Sequence, residues 1–101
     1  MGKFKVEIFP KAQNDLRNIV EYLNTLSPQA ALKYYDLLVD KTNGLSELPE
    51  RHPLARDEQL RLRGYRLLLV NNYIVFYVIN NKIVEIRRIL YARRHYRELL
   101  L

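Results

Sequence analysis

Residues 64–90 read GYRLLLV NN YIVFYVI NN KIVEIRRIL. Three runs rich in β-branched and aromatic side chains are parted by Asn71-Asn72 and Asn80-Asn81. Such runs suit a pleated, half-buried surface, and asparagine accepts the positive φ that a two-residue hairpin loop demands. The segment therefore predicts an antiparallel meander of three strands. Its middle run, Tyr73 to Ile79, is apolar on both faces and belongs inside the sheet.

Upstream, KFKVEIF at 3–9 alternates polar and apolar, with Phe4, Val6 and Ile8 on one side, and Pro10 closes this short strand. From Pro10 the stripe Ala12, Leu16, Ile19, Val20 and Leu23 follows helical spacing, which predicts a helix near 10–25. Ser27-Pro28 is a restart signal, an N-cap hydroxyl before a proline at the first helical position. Ala31, Tyr34 or Tyr35, Leu38, Thr42 and Leu45 then continue a stripe, predicting a second helix near 28–47. The short connection makes the two helices an antiparallel hairpin. Pro49 and Pro53 bracket a polar segment, PERHPLARDEQ, that reads as an exposed loop. Downstream, ARRHYRELLL predicts one last helical turn or an end that frays or awaits a partner.

The order is β-α-α-β-β-β with a short basic tail: an α+β fold, a helix hairpin packed on one face of a small, mostly antiparallel sheet. One hundred and one residues fit one domain, 1–101, with a modest core. The other sheet face, carrying Arg66, Arg87, Tyr73 and Tyr77, is expected to be concave and basic.

Charge is divided unevenly along the chain. Residues 1–50 hold six Lys/Arg against seven Asp/Glu, whereas residues 51–101 hold eleven against four, ten of the eleven being arginines. An arginine excess of this kind points to an anionic partner, either nucleic acid or an acidic protein segment. The absence of cysteine excludes disulfides, thiolate catalysis and cysteine-ligated zinc, and the two histidines, His52 and His95, form no metal-binding cluster. No metal or cofactor is expected, and the composition suits a reducing cytoplasm. The opening MGKFKVEIFP lacks the apolar core of a signal peptide, and no apolar run is long enough to span a membrane.

LRLRGYRLLLV, then NYIVFYVI, then VEIRRILYARRHYRELL, resemble the RelE/ParE superfamily of bacterial toxins. The likeness spans nearly the whole chain and is most specific from Leu60 to Tyr96. It implies a growth-inhibiting, plasmid-stabilising toxin of a type II toxin-antitoxin module. The implied partner is a cognate antitoxin protein that wraps the toxin in a hetero-oligomer and folds as it binds. RelE-like members cut mRNA on the ribosome; ParE-like members poison DNA gyrase.

A nuclease of this kind, working through the substrate 2'-hydroxyl, needs a base, an acid and cations around the phosphorane. Asp57 or Glu58 are the candidate bases, and His95 or Tyr96 the candidate acids. The candidate phosphate or target contacts are Arg61, Arg63, Arg66, Arg87, Arg93 and Arg94, with Arg88 a further cation. Arg94-His95-Tyr96 is similar to the end of the YoeB-like branch. Against a nuclease, Ile74 stands where those enzymes place an arginine, and Arg66 and Leu68 replace a lysine pair. LRLRGYR followed by a short hairpin and VFY looks more like ParE, so gyrase is the expected target and ribosome-dependent mRNA cleavage the alternative. A plain basic nucleic-acid-binding module is the third reading, since tyrosines beside arginines suit base stacking. Arg61 and Arg63 are expected to form a cationic row on a strand, which a bulge at Gly64 would extend to Arg66.

Overall fold

A computed structural model describes residues 3–101. β1 (Lys5–Ile8) leads into α1 (Pro10–Leu26) and α2 (Pro28–Asn43). Two 3-10 turns, Gly44–Ser46 and Pro49–Arg51, precede the short helix α3 (Glu58–Leu62). The meander follows as β2 (Arg66–Val70), β3 (Tyr73–Asn80) and β4 (Ile83–Tyr91), and α4 (Arg97–Leu100) ends the chain. The four strands lie in the order β1-β4-β3-β2, with β1 parallel to β4 and the other pairs antiparallel. The β-α-α-β-β-β order expected from the sequence is observed, and the tail does form a final helical turn; the segment expected as an exposed loop instead buries Pro49 and Ala55 and runs into the added helix α3.

Local chemistry accounts for most of these elements. Ser27 caps α2 by accepting the Ala30 N–H at 3.2 Å, with Pro28 at the first helical position. Both hairpin loops contain two residues, each with one left-handed asparagine: Asn71 at φ 53° and Asn81 at φ 58°. The second loop is Asn81-Lys82, one residue beyond the expected pair, because Asn80 still pairs with Ile83. The second helix also stops at Asn43, earlier than expected, and the chain tightens into the 3-10 turn that seats Leu45 in the core.

The sheet is covered on both faces. Leu68, Val70, Val75, Tyr77, Val84 and Ile86 meet Ala12, Leu38 and Leu45 of the helical layer. On the opposite face Ile74, Phe76 and Leu90 pack with Ala55, Leu60, Tyr65 and Leu100. The second face is thus an apolar cluster beneath α3 and the tail, which corrects the expectation of an open, basic concavity. Tyr73 and Tyr77 also belong to the helix-covered face, not the opposite one.

One irregularity decides which β4 side chains reach which face. Phe76 pairs with Arg88 but Tyr77 pairs with Ile86, so Arg87 is an extra residue. This bulge lets Ile86 and Ile89, three positions apart, face the same layer. The bulge therefore falls at Arg87 and not at Gly64, which instead makes a left-handed turn, φ 83°, after α3.

Candidate functional site

Arginines on the strands are engaged within the fold. Arg66 donates to the carbonyl oxygens of Glu50 at 3.0 Å and His52 at 2.6 Å, tying down the loop before α3. Arg87 bonds the Glu85 carboxylate at 2.7 and 3.1 Å and lies 5.1 Å from the centre of the Phe9 ring. The same guanidinium holds the Glu85 carboxyl below the usual carboxylate range. Arg88 grips Asp15 of α1 through Nε and Nη2 at 2.7 and 2.8 Å, a forked ion pair in which both side chains are largely buried.

Asp15 explains how α1 is seated. β1 accompanies β4 only from Ile83 to Ile86, so farther along that side of β4 has no neighbouring strand. The Asp15 carboxylate takes the Ile89 N–H at 3.0 Å and serves in place of that strand. Its sequence signal is an aspartate inside the apolar stripe, three residues after Ala12 and four before Ile19. That signal is weak, because a lone carboxylate on a helix reads as surface.

The remaining candidates gather around α3 and the tail. Asp57, Arg94, His95, Tyr96, Arg97 and Glu98 line a shallow cleft of about 440 Å³. Asp57 caps α3, its Oδ1 accepting the Leu60 N–H at 3.1 Å, and its Oδ2 accepts Arg97 Nε at 2.5 Å. The Leu60 N–H and then the Arg97 guanidinium hold its carboxyl below the usual range, which makes it a weak base. Glu58 is exposed in the first turn of α3. His95 is exposed, whereas the Tyr96 ring packs on Phe76 with centroids 4.8 Å apart.

Arg61 and Arg63 do not form a strand row. Arg61 is in the last turn of α3, bonded to the Arg56 carbonyl at 2.9 Å, and Arg63 is the residue that ends that helix. The LRLR repeat alternates like a strand, but Asp57 supplies an N-cap and Gly64 a left-handed stop, and these favour a helical turn. Arg93 and Arg94 are exposed in the turn after β4. Arg97, outside the expected set, is the residue that fastens the tail to Asp57 and to Gln59 at 2.8 Å.

A second cleft, about 470 Å³, opens between α1 and the end of the β3–β4 hairpin. Tyr22, Tyr73 and Tyr91 line it together with Asn18, Asp15 and Arg94. The Tyr73 ring stands edge-on to Tyr34 and to Tyr91, both at 5.8 Å. Burial first, then the neighbouring phenols, pushes the Tyr73 hydroxyl above its ordinary value. Among the described residues no three His, Asp or Glu side chains come together as a metal-binding group.

Residues 6–96 match the family described as the ParE toxin of the type II toxin-antitoxin system, parDE. This chain belongs to the ParE toxin family. Among solved structures, the toxin resembles a chain of the chromosomal ParDE toxin-antitoxin system from P. aeruginosa. The TM-score is 0.77 at 21% identity, covering 90% of this chain and 98% of that one. It also resembles a chain of the RelBE2 toxin-antitoxin complex from Mycobacterium tuberculosis, with TM-score 0.64 at 22% identity, covering 88% and 98% respectively. A search of curated proteins finds no match. These likenesses agree with the RelE/ParE resemblance of the sequence and, at that identity, speak to the fold of the toxin. No helix among the described residues is long and apolar enough to cross a membrane.

Proposed function

We propose that this ParE-family toxin acts on DNA gyrase and is neutralised by a cognate antitoxin protein. The observation that carries the reading is the employment of its charged residues. A phosphoryl-transfer site requires cations and a base that are free to meet the substrate. Arg66, Arg87 and Arg88 are instead bonded to carbonyl or carboxylate oxygens of the same chain. Asp57 is a helix cap and an ion-pair partner at once. A protein that inhibits by docking has no need of such a site; its exposed arginines serve as contacts.

The nuclease reading retains one supporting observation: Asp57, Arg94, His95 and Tyr96 share a cleft. The two readings separate in a pair of assays on the same preparation. The gyrase reading expects loss of supercoiling and accumulation of cleaved DNA, both reversed by the antitoxin, with mRNA left intact in a purified translation mixture. Ribosome-dependent cleavage that disappears in a His95→Ala, Tyr96→Phe double variant, with supercoiling unaffected, would overturn it.

A further inference from the structure

In the tyrosine-lined cleft Tyr73 belongs to the core and Asp15 to the ion pair with Arg88, but neither role accounts for Tyr22 and Tyr91 at the same recess. Tyr22 is 62% exposed and Tyr91 is 44% exposed, although both are aromatic residues at the mouth of a recess. One edge of Tyr91 meets the Tyr73 ring at 5.8 Å, while the rest of its ring surface is open to a planar group. Arg94 borders this cleft and also the neighbouring cleft over the tail, and thus links the two. Arg93, Arg94 and Arg56 are exposed and, among the described residues, their side chains make no ion pair with a carboxylate. Unlike the strand arginines, they keep their charge available.

We propose that this surface is a binding site for single-stranded nucleic acid, with a base stacked on Tyr91 and Tyr22 and the adjoining phosphates on Arg94 and Arg93. A recess of about 470 Å³ has room for one nucleobase with its sugar, and the phenol edges and Asn18 offer hydrogen-bond partners at its rim. Every base has a face that stacks, so binding is tolerant of sequence, and arginines that follow the backbone make it salt-dependent. Duplex DNA hides its base faces and meets only the arginines. An acidic peptide likewise answers the charge but leaves the ring surfaces unused. This inference goes beyond the gyrase reading and does not rest on it.

The test uses the full-length toxin with neither gyrase nor ribosomes present, so its outcome is separate from that of the target assays. Fluorescence anisotropy of a labelled thymidine 12-mer is compared with its duplex at 50 and 200 mM salt. The single strand is expected to bind about tenfold more tightly than the duplex. Tyr91→Ala is expected to weaken it about tenfold, at the lower end of what one stacked base contributes, while Tyr91→Phe stays within about twofold. Arg94→Gln lowers the slope of log affinity against log salt by about 0.7, one phosphate contact on a single strand. Circular dichroism confirms that each variant is folded. Equal binding of duplex and single strand, no effect of Tyr91→Ala, or an equal loss from Lys33→Gln with Lys41→Gln on α2 would each overturn the proposal. So would an oligoglutamate peptide that displaces the strand at equal charge concentration.

Discussion

The two faces of the sheet are sealed in different ways. One carries two helices of 17 and 16 residues, anchored by a buried forked ion pair between Asp15 and Arg88. The other carries two helices of 5 and 4 residues, fastened by a partly exposed pair, Asp57 and Arg97. The chemistry of the two anchors is the same, aspartate to arginine, but their surroundings differ. Water screens an exposed pair until it is worth little. A buried pair becomes expensive once either partner is removed, because the other charge stays behind without a solvent shell. The helix hairpin is therefore expected to be the permanent layer of the molecule and the tail the one that releases first.

The sharpest way to break this contrast is Asp15→Ala. It leaves the Arg88 guanidinium largely buried without its carboxylate, with only the Leu99 carbonyl at 3.4 Å still in reach, and the Ile89 N–H without its acceptor. A loss of about 3–5 kcal/mol is expected by urea denaturation; a loss under about 1 kcal/mol would show that the anchor carries no weight. Next in size, truncation after Tyr96 removes the buried Leu100 and the bond from the Tyr65 hydroxyl to its carbonyl. This is expected to cost roughly 2–3 kcal/mol, the burial of one large aliphatic side chain. It should also raise binding of an apolar dye to the uncovered Ile74 and Phe76; an unchanged dye signal would contradict the account of the second face.

A gain is expected at Thr42, whose buried Oγ1 has no hydrogen-bond partner. Thr42→Val keeps the shape and removes the unmet hydroxyl, which should stabilise by about 1 kcal/mol, read as a higher denaturation midpoint. Alkaline pH sharpens the comparison from within the permanent layer. The buried Tyr77 hydroxyl donates to the Pro49 carbonyl at 2.6 Å, and burial pushes its pKa up to about 12 from 10.0. A folded-state value above the unfolded one means that this contribution is whole below pH 10 and is lost as pH rises toward 12. Tyr77→Phe should flatten that decline. The smallest global effect belongs to Asp57→Asn, which is expected to speed amide exchange at Leu99 to Leu101 while leaving the global midpoint nearly unchanged. The Asp57 carboxyl is depressed, so acidification through its folded-state value should reproduce the same local release in the wild type.

Much of this layout is written in local sequence. The strands 66–70, 73–80 and 83–91, the capped start of α2 and the left-handed asparagines follow from neighbours within a few positions. So does the stripe Ala31, Leu38, Thr42 and Leu45, every member of which is buried, whereas the choice between Tyr34 and Tyr35, open in the sequence, falls to half-buried Tyr34. The clearest local failure is LRLR at 60–63, where an alternating pattern lost to a cap and a stop on either side.

The element order, the hairpins, the basic second half and the resemblance to RelE/ParE toxins were all legible along the chain, because each of these depends on spacing or composition. Which arginines are free depends instead on contacts between distant parts of the chain. Arg88 is claimed by an aspartate 73 positions away, Arg66 by carbonyls of a loop, and the extra residue at Arg87 resets which β4 side chains face inward. A guanidinium has the same letter whether it is buried in a fork or open to solvent. Only the packing that brings a distant carboxylate to it, and removes the water between them, separates the arginines that hold the fold from those left to meet a partner.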